Sequence, residues 1–343
     1  MKWKIALGII ISLIFLFIAF QQIELADFWN SIKNADYIYF IPAVLLVIIG
    51  LFVRAVRWKY LLILQKDMSF KTVFSALNIG FFGNCVLPFR AGEFMRAYVI
   101  GSKENVSKSS VFATILVERI IDVLSLLIVA VVVILFLPIP RNEYYDNIRN
   151  FGLFLAAVEM LLIVFIVLLL VKREWTLRIT AKILGFFPEK IGEKGLKIVD
   201  SFIEGLKIIK ATEHFAVIFI LSFLLWGLVI LQAFVLMFSI EMHLDLGTML
   251  IASSVVVILG SFALTIPSSP GYVGTYHAAV KAGLVIFAVD PNAALGYAFI
   301  FHASGVLTTL FLGFYYFLKE NIRLATIKND QMNSETETSP DGI

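Results

Sequence analysis

The sequence is poor in charge. Only 15% of its 343 residues are charged, whereas a soluble globular domain carries about 25%. Hydrophobic residues make up 60% of the chain, an excess that the core of a soluble protein does not need. We therefore expect an all-α integral membrane protein with the bilayer as its solvent.

Other shortages exclude whole classes of function. The single cysteine, Cys85, rules out an internal disulfide and a thiolate zinc cage. The formal net charge is only +3, so no strong basic field indicates a nucleic-acid partner. The chain has no Asp-x-Asp pair, no Gly-Lys-Ser/Thr phosphate loop and no His-Glu-x-x-His. We expect no metal, no cofactor, no nucleic acid, and membrane lipids as partners; a homo-oligomer stays open.

Apolar stretches suited to spanning helices of about 20 residues recur along the chain. Six are predicted as transmembrane helices: 5–20, 37–53, 109–137, 151–171, 215–240 and 292–318. The basic segment 176–213 has apolar residues at helical spacing, which predicts a cytoplasmic amphipathic helix. The predicted membrane domain covers 1–327, and the polar tail 328–343 is predicted to be disordered.

Two further apolar stretches, 72–87 and 248–266, end in proline and glycine. Proline blocks helix continuation and glycine tolerates a sharp turn. Each stretch therefore predicts a re-entrant hairpin in which one helix enters, breaks, and continues as a second short helix. The predicted hinge residues are Pro88, Gly92, Pro267, Pro270, Gly271 and Gly274.

Flanking charges predict the side from which each hairpin enters. The first hairpin is preceded by a basic run that we assign to a cytoplasmic loop: Arg54, Arg57, Lys59, Lys66 and Lys71. The second is flanked by acidic residues: Glu241, Asp245 and Asp290. Because basic loops stay cytoplasmic, hairpin one enters from inside and hairpin two from outside. Both termini are then cytoplasmic, in a cell membrane protein.

The two hairpins look like halves of an internal repeat. Leu87-Pro88-x-x-x-Gly92 matches Ile266-Pro267-x-x-x-Gly271, and with a short adjustment Arg119 falls opposite His302. Repeat one covers about 37–137 and repeat two about 215–318; the extra span between them inverts the second. Inverted repeats with broken helices are a transporter architecture. The alternative is that two Pro-Gly hairpins resemble each other by chance.

Several charged residues fall where a bilayer does not tolerate charge. Glu118, Arg119 and Asp122 lie on one face of the predicted span 109–137. They either lock this helix into the bundle or let Arg119 hold an anionic headgroup. Around the hairpins, further candidate binding residues are Asn84, Arg90, Glu93, Arg96, Tyr276, His277 and Lys281. Arg96 also fits an interfacial role with its charge at the cytoplasmic surface.

The charges within predicted apolar segments balance. Four are basic (Arg90, Arg96, Arg119 and Lys281) and four are acidic (Glu93, Glu118, Asp122 and Glu159). This predicts an interior that is paired and locally neutral before an anion enters.

Three motifs follow one another along the chain. They are Asn84-x-x-Leu87-Pro88-x-Arg90-Ala91-Gly92-Glu93-x-x-Arg96, Glu118-Arg119-x-x-Asp122 and Pro267-x-x-Pro270-Gly271-x-x-Gly274. Together they resemble the lysylphosphatidylglycerol synthase transmembrane family, over about residues 5–318. That family includes the flippase domain of multiple peptide resistance factors and stand-alone flippase-like proteins.

The resemblance implies lipid translocation rather than synthesis. Fused relatives continue into an aminoacyl-transferase domain, whereas this chain ends after the last predicted span, so we expect no enzyme activity. We expect a flippase for an anionic amphiphile, a phospholipid or a polyprenyl-phosphate-linked lipid, working by alternating access. The alternatives are a membrane-embedded transferase with a lipid-phosphate donor and a scaffold subunit whose buried charges are structural. An acidic residue is common in the family where His277 stands, which is consistent with a different headgroup.

Overall fold

The computed structural model describes residues 2–63, 65–87, 90–136, 173–185, 214–264 and 269–320, with isolated helical positions between 150 and 164. This part of the chain is helical throughout, as the sequence predicts. Its helices are α1 (Lys2–Phe20), α2 (Leu25–Lys33), α3 (Phe40–Leu62), α4 (Phe70–Val86), α5 (Gly92–Glu104), α6 (Lys108–Phe136), α7 (Arg173–Leu184), α8 (Phe215–Met237), α9 (Leu246–Ala263), α10 (Thr275–Val285) and α11 (Pro291–Lys319).

Four described helices are long and apolar enough to cross a membrane, and a bent pair adds a fifth if it counts as one span. The four are Tyr37–Leu62, Phe215–Met237, Leu246–Ala263 and Pro291–Lys319. With 29 residues, α6 is as long as α11, but it carries three charged side chains near its middle. Most of the predicted span 151–171 lies outside the described residues, as do 186–213, Pro88, Pro267 and the tail 328–343.

The bent pair was not foreseen from the sequence. Ile10–Phe20 and Leu25–Lys33 meet at 90°, and Gln22 between them adopts a left-handed backbone with φ of 59°. A run of apolar residues reveals helix length but not a bend made by one residue outside the right-handed region. The predicted span 5–20 thus lies within α1, and the short helix α2 follows it at a right angle.

Two groups of four helices follow the same order of lengths. The first unit, α3–α6, has helices of 23, 17, 13 and 29 residues. The second unit, α8–α11, has helices of 23, 18, 11 and 29 residues. The units pack together chiefly through α3 against α8 and α4 against α11.

The entering helix of each hairpin begins with the same local motif. The Ser69 hydroxyl accepts a hydrogen bond from the backbone N–H of Thr72 at 3.2 Å. The Asp245 carboxylate accepts one from the backbone N–H of Thr248 at 3.1 Å. These caps satisfy N–H groups that the first turn of a helix leaves free, so α4 and α9 start in the same way.

Both hairpins break where the sequence predicts. The helix of hairpin one ends at Val86, and Arg90 has a positive φ of 53° before α5 begins. In hairpin two, Gly271 (φ 73°) and Gly274 (φ 95°) adopt backbone conformations that residues other than glycine rarely adopt. Pro270 begins a short 3₁₀ turn between these helices. The glycines of the second break thus have a conformational reason to be there.

Candidate functional site

A cavity of about 590 Å³ lies between the first and second units. Both units contribute to its wall, through α3 to α6 on one side and α8 to α11 on the other. Charged residues reach the wall from the first unit alone among the described residues: Arg54, Arg90, Glu93, Arg119 and Asp122. The second unit contributes neutral polar groups: Gln232, Ser261, Tyr272, Tyr276 and His302.

The charged residues belong to an ion-pair cluster that is centred on two acids. Glu118 contacts Arg119 at 2.6 Å, Arg96 at 2.8 Å and Arg57 at 3.4 Å. Asp122 contacts Arg57 at 2.6 Å, Arg119 at 3.2 Å and Arg54 at 3.8 Å. Four arginines therefore share two carboxylates, and the cluster carries an excess of positive charge.

Arg57 and Glu118 are both completely buried. Burying a charge is costly unless it is paired and hydrogen-bonded. Two arginines of the cluster, Arg57 and Arg96, have partners in addition to the acids. Arg57 donates to the Ser222 hydroxyl of α8 at 2.8 Å. Arg96 stacks its guanidinium on the Trp58 ring at 3.9 Å from the ring centroid. The cluster thus connects α3, α5, α6 and α8.

Arg54 and Arg57 correct the sequence interpretation. We assigned them to a cytoplasmic loop, but α3 continues to Leu62 and carries both inside the protein. The signal that could have found them is the segment 51–62, which has no glycine or proline and repeats apolar residues at helical spacing. Arg54 and Arg57 add two positive charges to the interior, so the prediction of a neutral interior is wrong. Glu159, one of the acids in that balance, lies outside the described residues.

Contacts between α3 and α6 show that the two helices run antiparallel. Trp58 donates to the Thr114 hydroxyl at 3.0 Å, Arg57 meets Glu118, and Arg54 meets Asp122. Residues earlier in α3 therefore lie beside residues later in α6. Towards the start of α3 and the end of α6 the described wall is mostly apolar, with Gln232 of α8 as a polar residue among Leu46, Val47, Leu51, Val123, Leu126, Leu225, Leu228 and Val229. The cavity has a cationic end and an apolar end.

The tip of hairpin one reaches across to hairpin two. Arg90 donates from a terminal guanidinium nitrogen to the carbonyl oxygen of Leu264 at 2.7 Å, and its guanidinium lies 6.0 Å from the centroid of the Tyr272 ring. Asn84 acts within its own hairpin, because its side-chain oxygen accepts the backbone N–H of Gly92 at 3.0 Å. Arg90 therefore joins the two units at the edge of the cavity.

The residues predicted in hairpin two divide between the cavity and the interior. Tyr276 lines the cavity and stacks on His302, with ring centroids 4.8 Å apart. His277 is 1% exposed, does not line the cavity, and stacks on Phe299 with centroids 3.9 Å apart. His302, which the repeat places opposite Arg119, thus lines the cavity as well.

Lys281 lies away from the cavity and contacts the end of α1. Its ammonium donates to the carbonyl oxygens of Ala19 at 2.9 Å and Gln21 at 2.8 Å. These carbonyls lie at the end of α1, where a cation is favourable because the helix dipole is negative there. Neither of the candidate binding residues His277 and Lys281 lines the cavity.

Within the described residues, no group of three or more His, Cys, Asp or Glu side chains is arranged to hold a metal ion. Glu118 and Asp122 are also occupied by arginines. The described site is therefore suited to holding an anion through guanidinium forks.

Several known proteins resemble this chain over most of its length. A protein named glycosyltransferase AglD from Haloferax volcanii is 22% identical over 94% of this chain, which spans only 55% of that relative. A UPF0104 membrane protein from Methanocaldococcus jannaschii is 23% identical over 91% of this chain and 93% of its own length. Another from Methanothermobacter thermautotrophicus is 26% identical over 84% of this chain and 86% of its own length.

No solved structure matches the chain. The family described as "Lysylphosphatidylglycerol synthase TM region" matches residues 5–313, which is nearly the whole chain. The resemblance carried by the three motifs is thus confirmed, and the chain is a multi-pass membrane protein of the lysylphosphatidylglycerol synthase transmembrane family.

Proposed function

We propose that the protein moves an anionic amphiphile between the leaflets of a cell membrane. The observation that carries the proposal is the cavity with a cationic end and an apolar end. A phosphate-bearing headgroup fits beside Arg54, Arg90 and Arg119, while the start of its hydrocarbon chain fits the apolar wall. Family membership is consistent with a lipid substrate.

Alternating access by an inverted repeat would give such a cavity access to both leaflets. The matching helix lengths of the two units and the matching caps at Ser69 and Asp245 support the repeat. In this proposal six spans cross the membrane, both termini are cytoplasmic, and the two hairpins enter from opposite sides. The Arg90 contact with Leu264 then holds one of the two states.

The test is translocation of a fluorescent anionic phospholipid in proteoliposomes. Arg119→Gln removes a guanidinium from the cavity wall, and we expect a rate at least about tenfold lower, since a charge-assisted hydrogen bond contributes about 1.5–3 kcal/mol. Lys59→Gln is the control, because Lys59 lies on the same first unit but pairs with Asp67 outside the cavity. Unchanged translocation by a folded Arg119→Gln protein would argue against the proposal.

A membrane-embedded transferase is the second candidate, because the relative from Haloferax volcanii carries the name of a glycosyltransferase. The arginine-saturated acids of the described site argue against a carboxylate-bound metal there. Formation of a glycosylated product by the purified protein from a lipid-phosphate sugar donor would favour this candidate over transport.

A further inference from the structure

We infer that the transported lipid presents a doubly negative phosphate group, a monoester or a diphosphate, rather than a phosphodiester with a single charge. This inference rests on the proposed function and names the substrate class of the same cavity. It follows from the charge balance of the site, from the arginines on the cavity wall, and from unused hydrogen-bond donors in the ion-pair cluster.

The charge balance of the described site is +2. The cavity wall and the ion-pair cluster behind it together contain five arginines (Arg54, Arg57, Arg90, Arg96 and Arg119) and three acids (Glu93, Glu118 and Asp122). The described wall residues of the second unit are formally neutral, with histidine uncharged. Nearby lysines pair away from the cavity: Lys59 with Asp67, Lys66 with Glu104, and Lys103 with Glu320.

An uncompensated charge of +2 in a low-dielectric interior is unfavourable. A phosphodiester headgroup neutralises half of it and leaves one positive charge unbalanced. A phosphate monoester, with a second pKa of about 6, carries close to two negative charges above neutral pH. A doubly charged headgroup therefore balances the charge of the described site residues, and a singly charged one does not.

Unused hydrogen-bond donors point to the same class of ligand. In the described part of the chain, the Nε atoms of Arg57, Arg96 and Arg119 are buried without an acceptor. Arg119 is also a wall residue, so its guanidinium borders the space that a ligand would fill. Because buried donors are normally paired, this site is under-supplied with acceptor oxygens.

Three separate elements bring the arginines to the wall: Arg54 from α3, Arg90 from the turn before α5, and Arg119 from α6. A terminal phosphate offers three free oxygens to these guanidinium groups, whereas a phosphodiester offers only two. The guanidinium fork is well suited to oxygens of this geometry. The number of acceptors thus favours the same headgroup as the charge balance.

The experiment compares two lipids with identical acyl chains in binding to the full-length protein in detergent at pH 8. Dioleoyl phosphatidic acid is the monoester, and dioleoyl phosphatidylmethanol is the diester. We expect phosphatidic acid to bind at least about tenfold more tightly, because the second charge allows a further charge-assisted contact. Equal affinity, or tighter binding of phosphatidylmethanol, would overturn the inference.

Arg54→Gln tests whether charge balance causes the preference. Arg54 makes a long ion pair of 3.8 Å with Asp122, lies 5.8 Å from the centroid of the Phe81 ring and is 20% exposed, so its loss lowers the site charge by one with little damage to packing. We expect the preference for phosphatidic acid to shrink to about twofold or less, whereas Lys59→Gln keeps it unchanged. An undiminished preference in folded Arg54→Gln would contradict the charge-balance argument.

Inorganic phosphate provides a separate arm, since free phosphate shares the headgroup chemistry. If phosphate displaces phosphatidic acid only at a far higher concentration, the result supports a lipid ligand. Equal affinities of the site for phosphate and phosphatidic acid would overturn the assignment to a lipid. Translocation assays with both lipids then separate the two proposals. If neither lipid crosses the bilayer, transport fails while a measured binding preference stands; if both cross equally fast with equal affinity, transport stands and the inference fails.

Discussion

The first unit (α3–α6) and the second unit (α8–α11) have helices of nearly the same lengths in the same order, yet they present different chemistry to the cavity between them. The first unit offers arginines and acids, whereas the described wall of the second offers amide, hydroxyl, phenol and imidazole groups. At the positions that the sequence alignment of the hairpins places opposite each other, Arg119 faces the cavity from one unit and His302 from the other.

This difference separates what the architecture needs from what the ligand needs. The second unit is held by neutral contacts such as Gln232 donating to the Ser304 hydroxyl at 2.9 Å and the Tyr297 hydroxyl donating to the Ala233 carbonyl at 2.6 Å. A unit of this shape therefore forms without ion pairs at its centre. The arginine excess of the first unit is better explained by the anion we propose for the cavity than by folding.

The largest effect is expected from removing the central acid of the charged unit. Glu118→Gln leaves Arg57, Arg96 and Arg119 without their shared countercharge, and breaking a buried ion pair in this way costs about 3–5 kcal/mol. Gln232→Leu in the second unit removes one hydrogen bond between neutral groups and should cost about 1 kcal/mol. Unfolding free energies in detergent measure both; equal losses would mean that the two units depend on their polar centres alike.

A smaller effect is expected from the packing within each hairpin. A methyl group added at Gly92 collides with the Gly80 carbonyl oxygen, whereas one added at Gly283 meets its neighbours at 3.4 Å or more. Gly92→Ala should therefore destabilise the protein by about 1–3 kcal/mol, while Gly283→Ala should be neutral or slightly stabilising because alanine favours helix. Thermal unfolding of the two variants compares the hairpins directly, and similar melting temperatures would show that they tolerate bulk alike.

The smallest effect concerns the ion pair that joins the units. Glu320, just beyond α11, contacts Lys103 of α5 at 2.6 Å and accepts from Ser75 of α4 at 2.8 Å. Burial opposes its ionisation, but these two contacts outweigh burial and hold its pKa below the usual value. The stabilisation is present above the ordinary glutamate pKa of about 4.3 and is lost as pH falls through the lowered value.

Because this pair is partly exposed, we expect Glu320→Gln to cost less than about 1 kcal/mol at pH 7. The variant should also lose less stability than the wild type between pH 5 and about 3. Urea titrations at the two pH values measure this difference. An identical pH dependence in both proteins would mean that Glu320 does not stabilise the contact between the units.

Local patterns in the sequence were sufficient for some features. The Pro-Gly breaks and the position of Glu118, Arg119 and Asp122 on one face of α6 follow from residue type and helical spacing. These features depend on what one residue does to its own helix. The inverted repeat remains a proposal, although the helix lengths and caps agree with it.

Features that depend on a distant partner were missed. From the sequence, Arg57 is assigned to a loop, but it contacts Ser222 and Glu118 in the interior. Lys281 is predicted to be a binding residue, but it donates to a carbonyl at the end of α1. A charged side chain gives no sign in the sequence of whether its partner comes from a helix far along the chain. Span prediction penalises charge and so ended α3 too early.

The glycine contact between α4 and α5 has a consequence for movement. Gly80, Gly83 and Gly92 bring the two backbones together with no room for a side chain, so separating α4 from α5 would break this close contact. We therefore expect hairpin one to rotate as one rigid body that carries Asn84 and Arg96 with it. The left-handed residue Asn105, where the chain leaves α5, is the backbone position suited to act as a pivot for this hairpin.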